Sequence, residues 1–266
     1  MNLKESEFGL FGGSVTVQAI YALPPATAGA GINNDINLIT KATGLDAGAI
    51  SKAFLAQSPI SLLGRVQSFD LSITASSKEP KQTVRGSTNF IVTDGSIEGL
   101  NVISQSFAGA ARIPGVSENL GKLLPPELLA NGSAFKQLRG NATLNGPTIQ
   151  LSDISLYHEL YEIHGNGTIT TAGTAELKTQ VKLLSKLTSQ MLAKEKKLSL
   201  LLDKQGSMIF PVTISKSQSG VVVLPDFEQL LERAAGNTAK EAAGKALEKV
   251  APGLGGAAKG LLDKLF

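Results

Sequence analysis

The sequence contains no cysteine and no tryptophan, and among its 266 residues only ten Phe, three Tyr and two His. Without thiols it can build no disulfide scaffold, thiolate zinc site, Cys nucleophile or haem-attachment motif, and this absence fits any redox compartment. Charged residues are scarce at 18%, below the roughly 25% of an average domain. With 42% hydrophobic residues and a net charge of +3, the chain is too apolar and too weakly charged for a disordered tail. An excess of three charges does not call for a polyanionic partner, although the isoelectric point is near 9.0. Long apolar runs are missing too. The stretches 60–63 and 198–202 fall far short of the ~7 residues of a secretory core or the ~18 of a membrane span. The length allows a sizeable core in one large domain or two ordinary ones.

What is present is period-two alternation, the mark of strands with one buried face. Val15, Val17, Ala19, Tyr21 and Leu23 alternate with polar residues, as do Phe69, Leu71, Ile73 and Ala75, and later Ala175, Leu177, Thr179, Val181 and Leu183. One-sided strands predict an antiparallel sheet with one wet face. Asp94-Gly95 and Asn145-Gly146 carry the chemistry of two-residue hairpin turns, whose central residues need positive φ. Around them a weak repeat is predicted. Arg85-Gly86 leads through Phe90 and Val92 to the first turn and then to Ile97, Leu100 and Val102; Arg139-Gly140 leads through Ala142 and Leu144 to the second and then to Ile149, Leu151 and Ile154. Helices are expected at 33–41, at 46–56 behind an Asp46 cap, at 118–129 interrupted by Pro125-Pro126, and at 185–197. Residues 227–266 read as two amphipathic helices parted at Pro252-Gly253, the first opened by a capping box of Asp226 and Gln229, with Phe227, Leu230, Leu231 and Ala234 as its stripe.

The residues that could carry chemistry do not assemble into a reaction centre. His158-Glu159-Leu160-Tyr161-Glu162 lacks the second His of a zinc-protease helix and lies in a strand-like region, where His158, Glu162 and His164 would share a side too far apart to hold one metal. There is no nucleophile elbow and no phosphate-binding loop. Gly165-Asn166-Gly167 reads as close strand packing rather than a dinucleotide fingerprint. The expectation is therefore a protein without enzymatic activity, metal or cofactor. Charge concentrates in 178–204, where seven Lys face Glu195 and Asp203. This stretch reads either as a solvated, pairing-resistant surface or as an attraction to anionic headgroups. Lys178, Lys182 and Lys186, with Leu261, Leu262 and Leu265 of the final helix, are the membrane-surface candidates. Nucleic acid is not expected, given the few aromatics.

Taken in order, several stretches resemble the C-terminal region of the AsmA family of bacterial envelope proteins. They are Gly12-Gly13-Ser14 before a strand, Leu63-Gly64 opening another, and the run from Arg85-Gly86 through Asp94-Gly95 to Val102. Phe135 to Gly140, Gly165-Asn166-Gly167-Thr168-Ile169, Phe210-Pro211-Val212 and Leu224-Pro225-Asp226 follow. The similarity runs over most of 9–230 and departs after Ile214, where a polar stretch replaces a compact turn. It implies an open, apolar-lined groove of repeated hairpins that handles phospholipid or another acyl lipid at an envelope membrane surface, with other envelope proteins as further partners. It also implies a periplasmic location and a role in outer-membrane maintenance or lipid transport. Full-length family members carry an N-terminal anchor helix, so this chain is expected to be part of a longer protein.

The expected architecture is mainly β with peripheral helices: a curved antiparallel sheet over 1–225, with helical insertions near 33–56 and 103–131, then amphipathic helices over 226–266. Candidate groove residues are Val15, Val17, Leu71, Ile73 and Phe90, with Val92, Ile149, Leu151, Ile163 and Ile169. Alternation groups them without saying which face forms the groove. A structural or adhesive surface protein with a closed core and no lipid cargo wants the same residues at the same positions, so the two readings stay open.

Overall fold

The computed structural model describes residues 5–21, 35–54, 58–77, 79–111, 120–217 and 220–250. It is one open, twelve-stranded antiparallel sheet in which strand order follows chain order. The strands are β1 (Ser6–Leu10), β2 (Gly13–Tyr21), β3 (Asp35–Thr43), the two-residue β4 (Leu45–Asp46) beside β5 (Ser61–Ser76), β6 (Arg85–Glu98), β7 (Gly132–Asn145) and β8 (Thr148–Tyr157). β9 (Tyr161–Thr170), β10 (Ala175–Leu183), β11 (Met208–Ser217) and β12 (Gly220–Pro225) complete it. The alternating segments of β2, β5 and β10 are strands as the sequence predicts.

The two ends of the sheet are built differently. At one end the described connections are short: a single-turn α2 (Pro80–Thr83) between β5 and β6, and tight turns after β7 and β9. At the other end the chain inserts α1 (Ala47–Phe54) between β4 and β5, and α3 (Val102–Ala110) with 3-10 turns at Leu120–Leu123 and Pro126–Leu128 between β6 and β7. There too α4 (Ser185–Lys194) with a 3-10 segment Lys196–Leu201 joins β10 to β11, and α5 (Phe227–Val250) follows β12. These inserts bury one cluster with the sheet: Phe107 of α3 lies 4.7 Å from Phe210 of β11. Leu187, Met191, Leu198, Leu201 and Leu230 are all under 2% exposed in the same cluster.

α1 begins as expected, with the Asp46 carboxylate accepting from the Gly48 and Ala49 N–H groups at 2.7 and 3.1 Å. The stripe of α5 is partly realised: Leu230 and Ala234 are buried, Leu231 is 45% exposed, and the side chain of Phe227 is outside the described residues. Gln229 donates its N–H to Asp226 at 3.1 Å, but the reciprocal half of a capping box is missing: the Gln229 side chain donates to the Asp226 carboxylate instead of accepting from the cap N–H, which goes to Pro211 O. Further along, Arg233 donates to Ile209 O at 2.6 Å. β12 reaches only to Val212 of β11, so α5 satisfies edge carbonyls that the short last strand leaves unpaired.

Five expectations are corrected. Residues 35–41, expected as a helix, belong to β3; Ile36, Leu38, Thr40 and Ala42 alternate against β5, and sheet pairing overrides the helical reading. Asp94-Gly95 is no hairpin turn. β6 runs through it, and the left-handed φ of Asp94 (49°) is absorbed as a bulge where Arg65 pairs Thr93 but Leu63 pairs Ser96. The supposed repeat dissolves with it, since its first unit is one strand plus the start of α3, whereas its echo is a true hairpin. In that hairpin Asn145 pairs Thr148, so the loop residues are Gly146 (φ 55°) and Pro147; proline cannot take positive φ, and glycine alone supplies it. Finally, of the helix expected at 118–129 the described part, from 120, forms two 3-10 turns, as its prolines remove N–H groups a helix needs. The second half of the predicted C-terminal helical pair, from 251, lies outside the described residues.

Candidate functional site

Cross-strand partners point to the same side of a sheet, so the register sorts every strand residue by face. Leu38, Ile73, Gly86, Leu144, Ile149 and Ile169 form one continuous row of partners. A second row carries Thr40, Leu71, Thr88, Ala142, Leu151 and Gly167. Val15 and Val17 join through Ala42 and Thr40, Phe90 and Val92 through Phe69 and Val66, and Ile163 through Leu156. All ten groove candidates therefore share one face, a point that alternation alone left open. The face is nonetheless divided. Val92 (3% exposed) and Ile163 (5%) belong to the core sealed by the helical inserts, whereas the other eight are half-buried.

Glycines draw the strands together along this face. A side chain at Gly165 would meet Lys178 O at 2.6 Å, and one at Gly167 would collide with Glu176 O, so Gly165-Asn166-Gly167 is close strand packing as read from the sequence.

The opposite face is polar, and a large cavity opens on it. This cavity, of about 1110 Å³, crosses the middle of β6 to β11 and reaches the start of α5. Its lining holds residues of both faces, and exposure decides between them: Thr179 and Val212 are 8% and 2% exposed, while their neighbours Lys178, Gln180 and Asn166 are exposed. The signal in the sequence is the complement of each apolar alternation, the wet side of the strands.

The two His lie apart from each other. His158 is not in a strand but in the loop joining β8 to β9, which corrects the expectation that it shares a strand side with Glu162 and His164. Its ring stacks on Tyr161 at 4.7 Å, and its Nδ1 accepts from Leu160 N–H at 3.2 Å. Burial pushes the His158 pKa down, outweighing the neighbouring Glu159 and Glu127. A depressed His pKa means that folding favours the neutral ring, so its contribution is present above the unfolded value of about 6.5 and fades as pH falls through the lower folded pKa. Urea midpoints should therefore decline on acidification below about pH 6.5, and His158→Phe should flatten that limb. Burial likewise raises the phenol of Tyr161, whose hydroxyl donates to Ala134 O at 2.5 Å.

His164, on the polar face, lies 3.3 Å from Glu162 and 3.1 Å from the Ser155 hydroxyl. The order Ser, His, acid is that of a nucleophile chain, yet Ser155 is 7% exposed and sits mid-strand with its partners Arg139 and His164. Such a setting resembles a strand hydrogen-bond network more than an exposed nucleophile elbow.

No family model, curated protein or solved structure matches the chain. Among the described residues no group of His, Asp and Glu could hold a metal ion, and no helix is long and apolar enough to cross a membrane. Lys178 and Lys182 lie on the polar face opposite Asn166 and Glu162, and Lys186 is exposed on α4. Leu261, Leu262 and Leu265 lie outside the described residues.

Proposed function

We propose that the chain is a non-enzymatic lipid-binding module, of the kind the AsmA resemblance implies, holding an acyl chain on the open half of its apolar face. One observation carries this reading. Leu38, Ile73, Leu144, Ile149 and Ile169 form a row of half-buried aliphatic side chains, interrupted by no charge and no aromatic ring, across six successive strands. At ~4.8 Å per strand the row extends about 24 Å, longer than the ~15 Å of hydrocarbon in one bilayer leaflet. Each CH₂ laid on it would gain about 0.8 kcal/mol. In this reading the module works at the periplasmic side of an envelope, with phospholipid as its cargo.

Lipid extraction and mass spectrometry of the purified protein test it. Co-purified phospholipid, lost in an Ile73→Glu/Ile149→Glu variant with unchanged far-UV circular dichroism, is the expected result. The absence of bound lipid, together with no thermal stabilisation on adding phospholipid, would favour the structural surface protein. That second reading draws on the sealed end, where the apolar face is already filled by protein.

A further inference from the structure

The polar cavity on the reverse face is independent of the lipid reading, and its chemistry differs. Its charges balance: Arg139 and Lys178 are set against Asp153 and Asp226, which favours neither a polyanion nor a polycation. Between the charges stand carboxamides, Asn89, Asn141, Asn166 and Gln180, each with a donor and an acceptor on one group. A hydroxyl is also both donor and acceptor, whereas a phosphate only accepts and an ammonium only donates. The Asn141 amide is held by Asp153 at 3.2 Å, but the side chains of Asn89, Asn166 and Gln180 have no hydrogen-bond partner among the described residues.

The shape is elongated. The cavity crosses six strands, about 24 Å at ~4.8 Å per strand. A bulge at Asp153, with φ 52°, interrupts the pairing of β8 on both sides within the lining. At about 1110 Å³ it lies just above the usual range of small-ligand sites.

The geometry points to a binding site for a neutral, extended oligosaccharide lying across β6 to β11. Arg139, Asp153 and the carboxamides would each address hydroxyls of successive rings.

Titration calorimetry of the full chain with cellohexaose, maltohexaose, chitohexaose and a heparin hexasaccharide tests the site. Saturable binding of at least one neutral hexasaccharide, weakened about tenfold or more in Asn166→Ala/Gln180→Ala, is the expected result. Both residues are exposed, so circular dichroism should be unchanged. Amide shifts of the unsubstituted protein, expected to move in β7 to β10, provide a readout that needs no variant. Failure of every neutral probe to saturate, binding of the heparin fragment alone, shifts confined to the apolar face or to the helices, or undiminished binding by a folded double variant would each overturn the assignment. None of these outcomes bears on lipid binding, which uses the other face.

Discussion

Replacing Phe210 by alanine should destabilise the protein by about 3–5 kcal/mol, a large part of the stability of an ordinary domain. Phe210 is fully buried on β11, paired with Val181 and in ring contact with Phe107 of α3. Its neighbours come from the sheet on one side and an inserted helix on the other, so a cavity there cannot collapse without unseating α3. Gly109, two residues after Phe107, is in such close contact with Pro225 that a side chain could not fit, which restricts any sliding of the helix. Phe107→Ala should cost a similar amount. The double variant should cost less than the sum, by about 0.5–1.5 kcal/mol of ring–ring coupling. Urea unfolding followed by circular dichroism reads all three; a loss under about 1 kcal/mol for Phe210→Ala would show that α3 is not seated as described.

Asn101→Ala should come close behind, at about 2–4 kcal/mol. Asn101 is 9% exposed and serves three backbone groups at once: its carboxamide accepts from Ser104 N–H at 2.8 Å and donates to Leu128 O at 2.9 Å and Ala130 O at 2.6 Å. The substitution removes the cap of α3 and leaves the carbonyls of Leu128, in the 3-10 turn, and Ala130, just after it, without their donor. Ser133 supports the same junction, accepting from Val102 N–H at 3.0 Å and donating to Leu100 O at 2.8 Å. Asn101→Asp keeps the cap acceptor but sets a buried carboxylate oxygen against the Leu128 and Ala130 carbonyls, so it should cost at least as much as alanine; a clearly smaller loss would show that the cap, not the carbonyl contacts, carries the cost.

Asn101 also shows where sequence reading stops. The residues after Asp94-Gly95 looked like the second strand of a hairpin because Ile97, Leu100 and Val102 are apolar at strand-compatible spacing. What ends β6 is Gly99, at φ 78° and close against Pro59, followed by an Asn whose partners lie 27 and 29 residues ahead. No local pattern records such distant partners. The faces, by contrast, were legible, since alternation is a local property: Leu71 with Ile73 and Ile149 with Leu151 were grouped correctly from their own segments. Which groups share a side required the register, and which half of that side is covered required the helices. The polar cavity was invisible because Asn141, Asn166 and Lys178 are ordinary wet-face residues within their own strands, and only the register across β7 to β10 sets them along one cavity.

Strand order that follows chain order has a consequence for how the molecule is made. Each strand except β4 lies beside its immediate predecessors and successors in the chain, so during synthesis every new strand meets a partner that is already in place. Closure of the helical inserts over the core must wait for β11 and α5, because Phe210, Pro225 and Leu230 all arrive late. The sheet can therefore grow progressively from the N-terminal side, while its sealed end is completed only when the last part of the chain has emerged.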